Sequence, residues 1–207
     1  LAKKRGQYLD KSQFKAQYYN DPTDPDNVPV RREKFQYFER KFLTRDNGYW
    51  YYRDRRINVF AAVDFAFSLN RKADYTAIVV VGVDGENNCY VIDIDRFRTE
   101  RISDYFEHIL NLHAKWSFRK IRAEVTVAQS AIVKQLKEMI KDHGLSLSID
   151  EFRPSKSHGS KQERIASTLE PRYDNLQIWH YKGGNIQVLE EELSSRNPPH
   201  DDVIDAL

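Results

Sequence analysis

Three consecutive β-rich segments limit this chain more than any other feature. "INVFAAVDF" (57–65) is an apolar run that closes on Asp64, "YTAIVVVGVD" (75–84) is dense in β-branched residues and meets the turn "DGENN", and "CYVIDIDRFR" (89–98) alternates apolar with polar. Branching at Cβ and a two-residue period both favour extended backbone. The short links between the segments predict a meander of three antiparallel strands.

Downstream the pattern changes. "SDYFEHILNLHAKW" (103–116) sets Phe106, Ile109, Leu110 and His113 at helical spacing, with Ser103 as the expected N-cap. "RKIRAEVTV" predicts a strand ending near Glu124, and "QSAIVKQLKEMIKDHG" a helix with Ile132, Leu136, Met139 and Ile140 on one stripe and Gly144 as a left-handed stop. "LSLSIDEFRP" and "LQIWH" read as strands, "KQERIASTLE" and "NIQVLEEELSS" as helices, the last broken by Pro198 and Pro199. The order β-β-β-α-β-α-β-α predicts an α/β fold: a mixed sheet, a three-strand antiparallel meander plus parallel strands, flanked by helices. That is the strand order of ribonuclease H-like domains.

Residues 1–56 read differently. "DKSQFKAQYYN" and "RREKFQYFERKF" predict helices around the turn-rich "DPTDPDNVP". The segment is too polar to hold a core of its own, so it reads as a linker or the tail of a missing domain, with 57–207 as the folded domain. Charge divides the same way: fourteen Lys and Arg against eight Asp and Glu through residue 58, nineteen against 23 beyond it. A basic arm on a mildly acidic domain suits a polyanionic partner. One cysteine, Cys89, cannot form an internal disulfide, and no apolar run approaches the ~20 residues needed to span a bilayer. A soluble intracellular protein is expected.

The carboxylates carry the chemistry. Asp64 ends a strand flanked by Ala61, Ala62 and Val63, where a charge needs a partner or a metal. Glu124 ends the fourth strand of the domain in the same way; if first and fourth strands are neighbours, ~4.8 Å apart, one cation can touch both. "HDDVIDAL" (200–207) predicts the first turns of a helix, since Pro-Pro blocks an upstream one. Capping uses one carboxylate, yet Asp201 and Asp205 share a helix face and Asp202 lies beside them. Acidic clusters without a Cys or His cage suit Mg²⁺ or Mn²⁺ rather than zinc. A two-metal site for phosphodiester hydrolysis is the chemistry that uses such ligands.

Four stretches in this order, "AAVDFAFSLNRKADYTAIVVVGVDGENNCYVIDIDRFR", "AEVTVAQSAIVKQL", "KQERIASTLEP" and "HDDVIDAL", resemble the C-terminal nuclease domain of large terminase subunits, the DNA-packaging motors of tailed bacteriophages. The resemblance spans 57–207. It implies a ribonuclease H-like, metal-dependent endonuclease that cuts concatemeric double-stranded DNA with two Mg²⁺ or Mn²⁺ ions. It matches Asp64, Glu124 and Asp201 to the acidic triad, with Asp202 a further metal ligand and Asp205 either a ligand or a brace for the helix. It further implies an ATPase domain, a small terminase subunit and a portal as partners, and the cytoplasm of an infected bacterial host as the location. No G-x-x-x-x-G-K-[ST] loop is present, so this polypeptide is expected to cut DNA without translocating it.

Other residues are weaker candidates. In "RPSKSHGSKQER", Arg153, Lys156, Lys161 and Arg164 form a basic loop suited to DNA phosphates. "NGYWYYRDRR" (47–56) mixes aromatics and arginines, and is expected to be a hairpin packing on a neighbouring domain. His200 precedes the aspartates; Asp93 and Asp95 share one strand face, expected to be solvated; Asp74 and Tyr75 read as loop, and Trp116, Phe118 and Trp179 as core. A resolvase, transposase or integrase would use the same carboxylates, and a docking module that binds DNA or the portal would need none of them.

Overall fold

Odd-numbered residues on the strand Arg55–Asp64 turn inward and even-numbered ones outward: Ile57, Ala61 and Val63 are buried, whereas Arg56, Asn58 and Phe60 are exposed. This alternation places the strand between a covered and an open layer. The computed structural model describes residues 28–66, 75–126, 129–153, 161–195 and 198–207, without the side chains of 161–164 and 166. The expected helix over "DKSQFKAQYYN", together with Asp74 and Lys156, lies outside the described residues.

Among the described residues nine strands form one sheet: β1 (Gln36–Tyr37), β2 (Leu43–Asp46), β3 (Tyr49–Tyr52), β4 (Arg55–Asp64), β5 (Thr76–Asp84), β6 (Cys89–Phe97), β7 (Lys120–Glu124), β8 (Ser148–Phe152) and β9 (Ile178–His180). The helices are α1 (Ile102–Trp116), α2 (Ser130–Asp142), α3 (Lys161–Asp174), α4 (Ile186–Leu193) and α5 (Asp202–Ala206). The sheet runs β1-β9-β6-β5-β4-β3-β2, with β7 and then β8 added on β4. Strands β2 to β6 pair antiparallel in sequence order, and β7, β8 and β9 join by parallel pairing, so the sheet is mixed as expected.

One edge of β4 is shared. Residues 55–57 pair with β3 and 61–64 with β7, leaving a notch between the two partners. On the opposite edge β5 runs the full length, and Gly82 lets the Ile57 side chain in: a Cβ there would stand 2.7 Å from Ile57 Cδ1. Helix α1 lies on the face of the odd-numbered β4 residues, where Tyr105 meets Phe65 and Phe97 edge-on or tilted, and α2 packs against α1 and β8. Helix α5 packs on β4 and β5.

Several expectations need correction. Residues 31–42 form two single 3-10 turns, Arg32–Lys34 and Arg40–Phe42, around β1, not a helix; Val30, Phe35 and Phe38 are buried, and β1 pairs with the distant β9. The hairpin of "NGYWYYRDRR" packs within this same sheet: Asn47 and Gly48 take positive φ in the β2–β3 turn, and Trp50 Nε1 donates to the Trp116 carbonyl at 2.8 Å. The N-cap of α1 is Arg101 rather than Ser103, with no side-chain capping bond. Trp116 and Phe118 are buried as expected, whereas Trp179 is half-buried. Gly144 does take a left-handed φ of 62°.

Candidate active site

Strand register assembles the site. Asp64 is the register partner of Glu124 on parallel β7 and of Ala77 on β5, and Ala77 pairs with Arg96 on β6. Register partners project to the same face. Glu124, Asp64, Ala77 and Arg96 therefore form one row across four strands, with neighbours about 4.8 Å apart. The first and fourth strands of the predicted domain are neighbours, as the placement of the two carboxylates required.

Helix α5 lies over this row and brings its own acids. Asp202 is 2% exposed, and its Oδ2 accepts from Arg96 Nη2 and from the Tyr75 backbone N–H, both at 3.2 Å. This carboxylate ties α5 to the row. Asp205 lines a hollow of about 250 Å³ together with Arg122, Glu124, Phe152, Thr168 and Leu169. Asp201 is exposed at the N-cap position, where its side chain makes no capping bond.

Capping comes from a residue that the sequence hid. Glu192 on α4 is 3% exposed, and its Oε2 accepts from the N–H groups of Val203 and Ile204, at 3.0 and 2.8 Å. Burial pushes its carboxyl up to about 7, helped by the nearby charge of Asp202, while the two N–H bonds and Arg96 pull it down. In "LEEELSS" nothing separates Glu192 from Glu190 and Glu191 beside it. The remaining signal was only its spacing next to Leu193 on the inward stripe.

Beside α5 stands a stack of planar groups. The Tyr75 ring lies between the guanidinium carbons of Arg96, 3.6 Å away, and Arg98, 3.8 Å away, with the His200 ring edge-on at 5.2 Å. His200 is thus placed against an aromatic ring.

The other candidates lie elsewhere. Asp93 and Asp95 are not on a solvated face: both point toward α1, where Asp93 accepts from Trp116 Nε1 and Lys115 Nζ at 2.7 Å, and Asp95 Oδ2 stands 2.6 Å from His108 Nδ1. Arg153 donates to Ser130 Oγ at 2.9 Å and to Glu151 at 3.2 Å. Lys161 and Arg164 begin α3, but their side chains lie outside the description.

The carboxylates of the row and of α5 offer oxygen ligands, the chemistry of a hard divalent cation. Among the described residues no three of His, Cys, Asp or Glu are gathered to hold a metal ion. The structure provides two carboxylates in register and a third lining the same hollow as one of them. No described helix is long and apolar enough to cross a membrane.

No family model matches the chain, and no curated protein matches it. Among solved structures, the chain is similar to the large terminase nuclease from thermophilic phage G20c, with a TM-score of 0.55, 16% identity, and coverage of 84% of this chain and 91% of that one. This likeness shows a shared ribonuclease H-like fold. Two others are slighter and carry no argument. The Thermus thermophilus RuvC bound to a Holliday junction has a TM-score of 0.42 and 13% identity, covering 72% of this chain and 89% of that one. The fowlpox virus resolvase bound to Holliday junction DNA has a TM-score of 0.44 and 11% identity, covering 71% and 92%.

Proposed function

We propose that this chain is the nuclease part of a tailed-phage DNA-packaging terminase, a divalent-metal-dependent endonuclease hydrolysing phosphodiester bonds of concatemeric double-stranded DNA. The observation that carries this reading is the register pair of Asp64 and Glu124, overlaid by an acid-bearing helix. The fold shared with a phage terminase nuclease supports it.

Asp64, Glu124 and Asp205 are the residues that would hold two Mg²⁺ or Mn²⁺ ions, which when bound supply Lewis acidity and lower the pKa of a nucleophilic water. Asp64 and Glu124 stand at the paired ends of two strands, whose pairing holds their backbones side by side. Arg96 compensates the charge of Asp202, so α5 docks on an acidic row without adding an uncompensated buried carboxylate. Glu192 satisfies the first N–H groups of α5 and so fixes where Asp205 points. In this reading the ATPase domain, small subunit and portal belong to the assembly in which the chain works.

The test is conversion of supercoiled plasmid to nicked and linear forms with Mg²⁺ or Mn²⁺. Wild type is expected to convert it, and Asp64→Ala and Glu124→Ala to fail. Asp201→Ala and Asp205→Ala in the same assay identify the third ligand. Equal conversion by wild type, Asp64→Ala and Glu124→Ala, or none by wild type, would defeat the proposal.

A further inference from the structure

We infer that the open sheet face leading away from Asp64 and Glu124 is the seat of the DNA backbone, gripped by Arg56, Lys120 and Arg122; this rests on the nuclease reading above. The faces follow from parity. Arg56, Asn58, Phe60 and Ala62 share the face of Asp64 on β4, and Lys120 and Arg122 share the face of Glu124 on β7. All but the half-buried Ala62 are exposed, whereas the intervening Ile57, Ala61, Val63, Ile121 and Ala123 are buried. On β4 and β7 the sheet therefore presents an uncovered surface continuous with the carboxylate row.

The chemistry of that surface is cationic and aromatic. Arg56 stacks on the Tyr49 ring with its guanidinium carbon 3.8 Å from the centroid, and Arg122 on Phe152 at 4.8 Å. Among the described residues neither arginine, nor Lys120, pairs with a carboxylate. Phe60, within β4, is 43% exposed and Tyr49, at the hairpin end of β3, 46%. The notch between β3 and β7 opens a second hollow, of about 270 Å³, bordered by Tyr49, Arg56, Phe60, Arg119 and Lys120 and by no acid. The acids nearest this face are Asp150, opposite Arg122 on β8, Asp46 at the hairpin turn, and Asp84 and Glu86, which line a hollow beside Arg56 and Asn58; Asp84 and Glu86 are paired with Arg55.

Position favours nucleic acid over an acidic protein. At ~3.3 Å per residue, Lys120 lies about 13 Å from Glu124 along its strand and Arg56 about 26 Å from Asp64. These distances correspond to about four and eight base steps of a duplex. A polyanion seated at the row meets carboxylates there, and needs its cations on the flanks, where these residues stand. Stacked arginines keep a planar fork toward phosphate.

Fluorescence anisotropy with a labelled 20-bp duplex in EDTA, where metal-dependent cutting is silent, tests the inference. The Arg56→Ala/Lys120→Ala/Arg122→Ala variant is expected to bind about tenfold more weakly near 100 mM salt, with the slope of log K against log salt smaller by about 2.7, three lost phosphate contacts at ~0.9 each. The charge-keeping Arg56→Lys/Lys120→Arg/Arg122→Lys variant is expected to stay near wild type in slope, and a thermal melt confirms that both fold. Unchanged affinity and slope in the alanine variant, while wild type cuts plasmid, overturns the track and leaves the nuclease reading standing. A variant that binds DNA normally but loses an acidic protein overturns it too. Wild type that neither binds nor cuts DNA overturns the reading on which the track rests.

Discussion

Two pairs of carboxylates sit on opposite faces of one sheet and meet opposite surroundings. Asp93 and Asp95 face α1, which answers them with Lys115, the Trp116 indole N–H and His108. Asp64 and Glu124 face the side covered by α5, which brings three more aspartates. Placement on a strand is alike in the two cases; what differs is the helix laid on top. A carboxylate answered by cations fastens a helix, and carboxylates gathered with further carboxylates hold negative potential suited to a cation.

The comparison breaks most sharply on activity. Asp64→Ala or Glu124→Ala is expected to lower plasmid cutting by about 10²–10³-fold, the order lost when a group stabilising transition-state charge is removed, while the melting temperature changes little. Asp202→Ala crosses the two categories, since it belongs to the acidic helix but behaves as a fastener. It leaves Arg96 buried without its partner and is expected to cost about 3 kcal/mol by urea denaturation, together with cutting. Asp93→Ala is expected to cost about 1–3 kcal/mol, by stranding the Trp116 N–H, with cutting per folded molecule unchanged.

The smallest effect concerns pH. Glu192 has a folded-state pKa of about 7, above the ordinary 4.5. A raised acid pKa means that the folded state binds its proton more tightly, so this stabilising contribution is full below pH 4.5 and is lost as pH rises through 7. Wild type should therefore lose about 1–2 kcal/mol more stability between pH 5 and 8 than Glu192→Gln, whose amide oxygen still accepts from Val203 and Ile204. Urea midpoints across that range check it, and parallel curves for the two proteins would refute it.

Much of the fold can be read in advance because it is written locally. The strands β4 to β6 follow from β-branched runs and alternation, and the neighbouring ends of β4 and β7 from two acids closing apolar segments. What escapes the sequence is what depends on distant partners. "FQYFERKF" has aromatic spacing that fits a helix, yet Phe35 and Phe38 are spent on packing beside β9, about 140 residues later. Alternation puts Asp93 and Asp95 on a common face but does not say that α1 covers it. Glu192 looks like Glu190 and Glu191 beside it until α5 folds back over it, and only that return separates the fastening Asp202 from Asp205.

Helix α5 has five residues, too few to persist by its own hydrogen bonds. Its place is held by β4, β5, Arg96 and Glu192. In the proposed hydrolase, a change that frees α5 from these holds would undo the cutting centre while leaving the sheet intact.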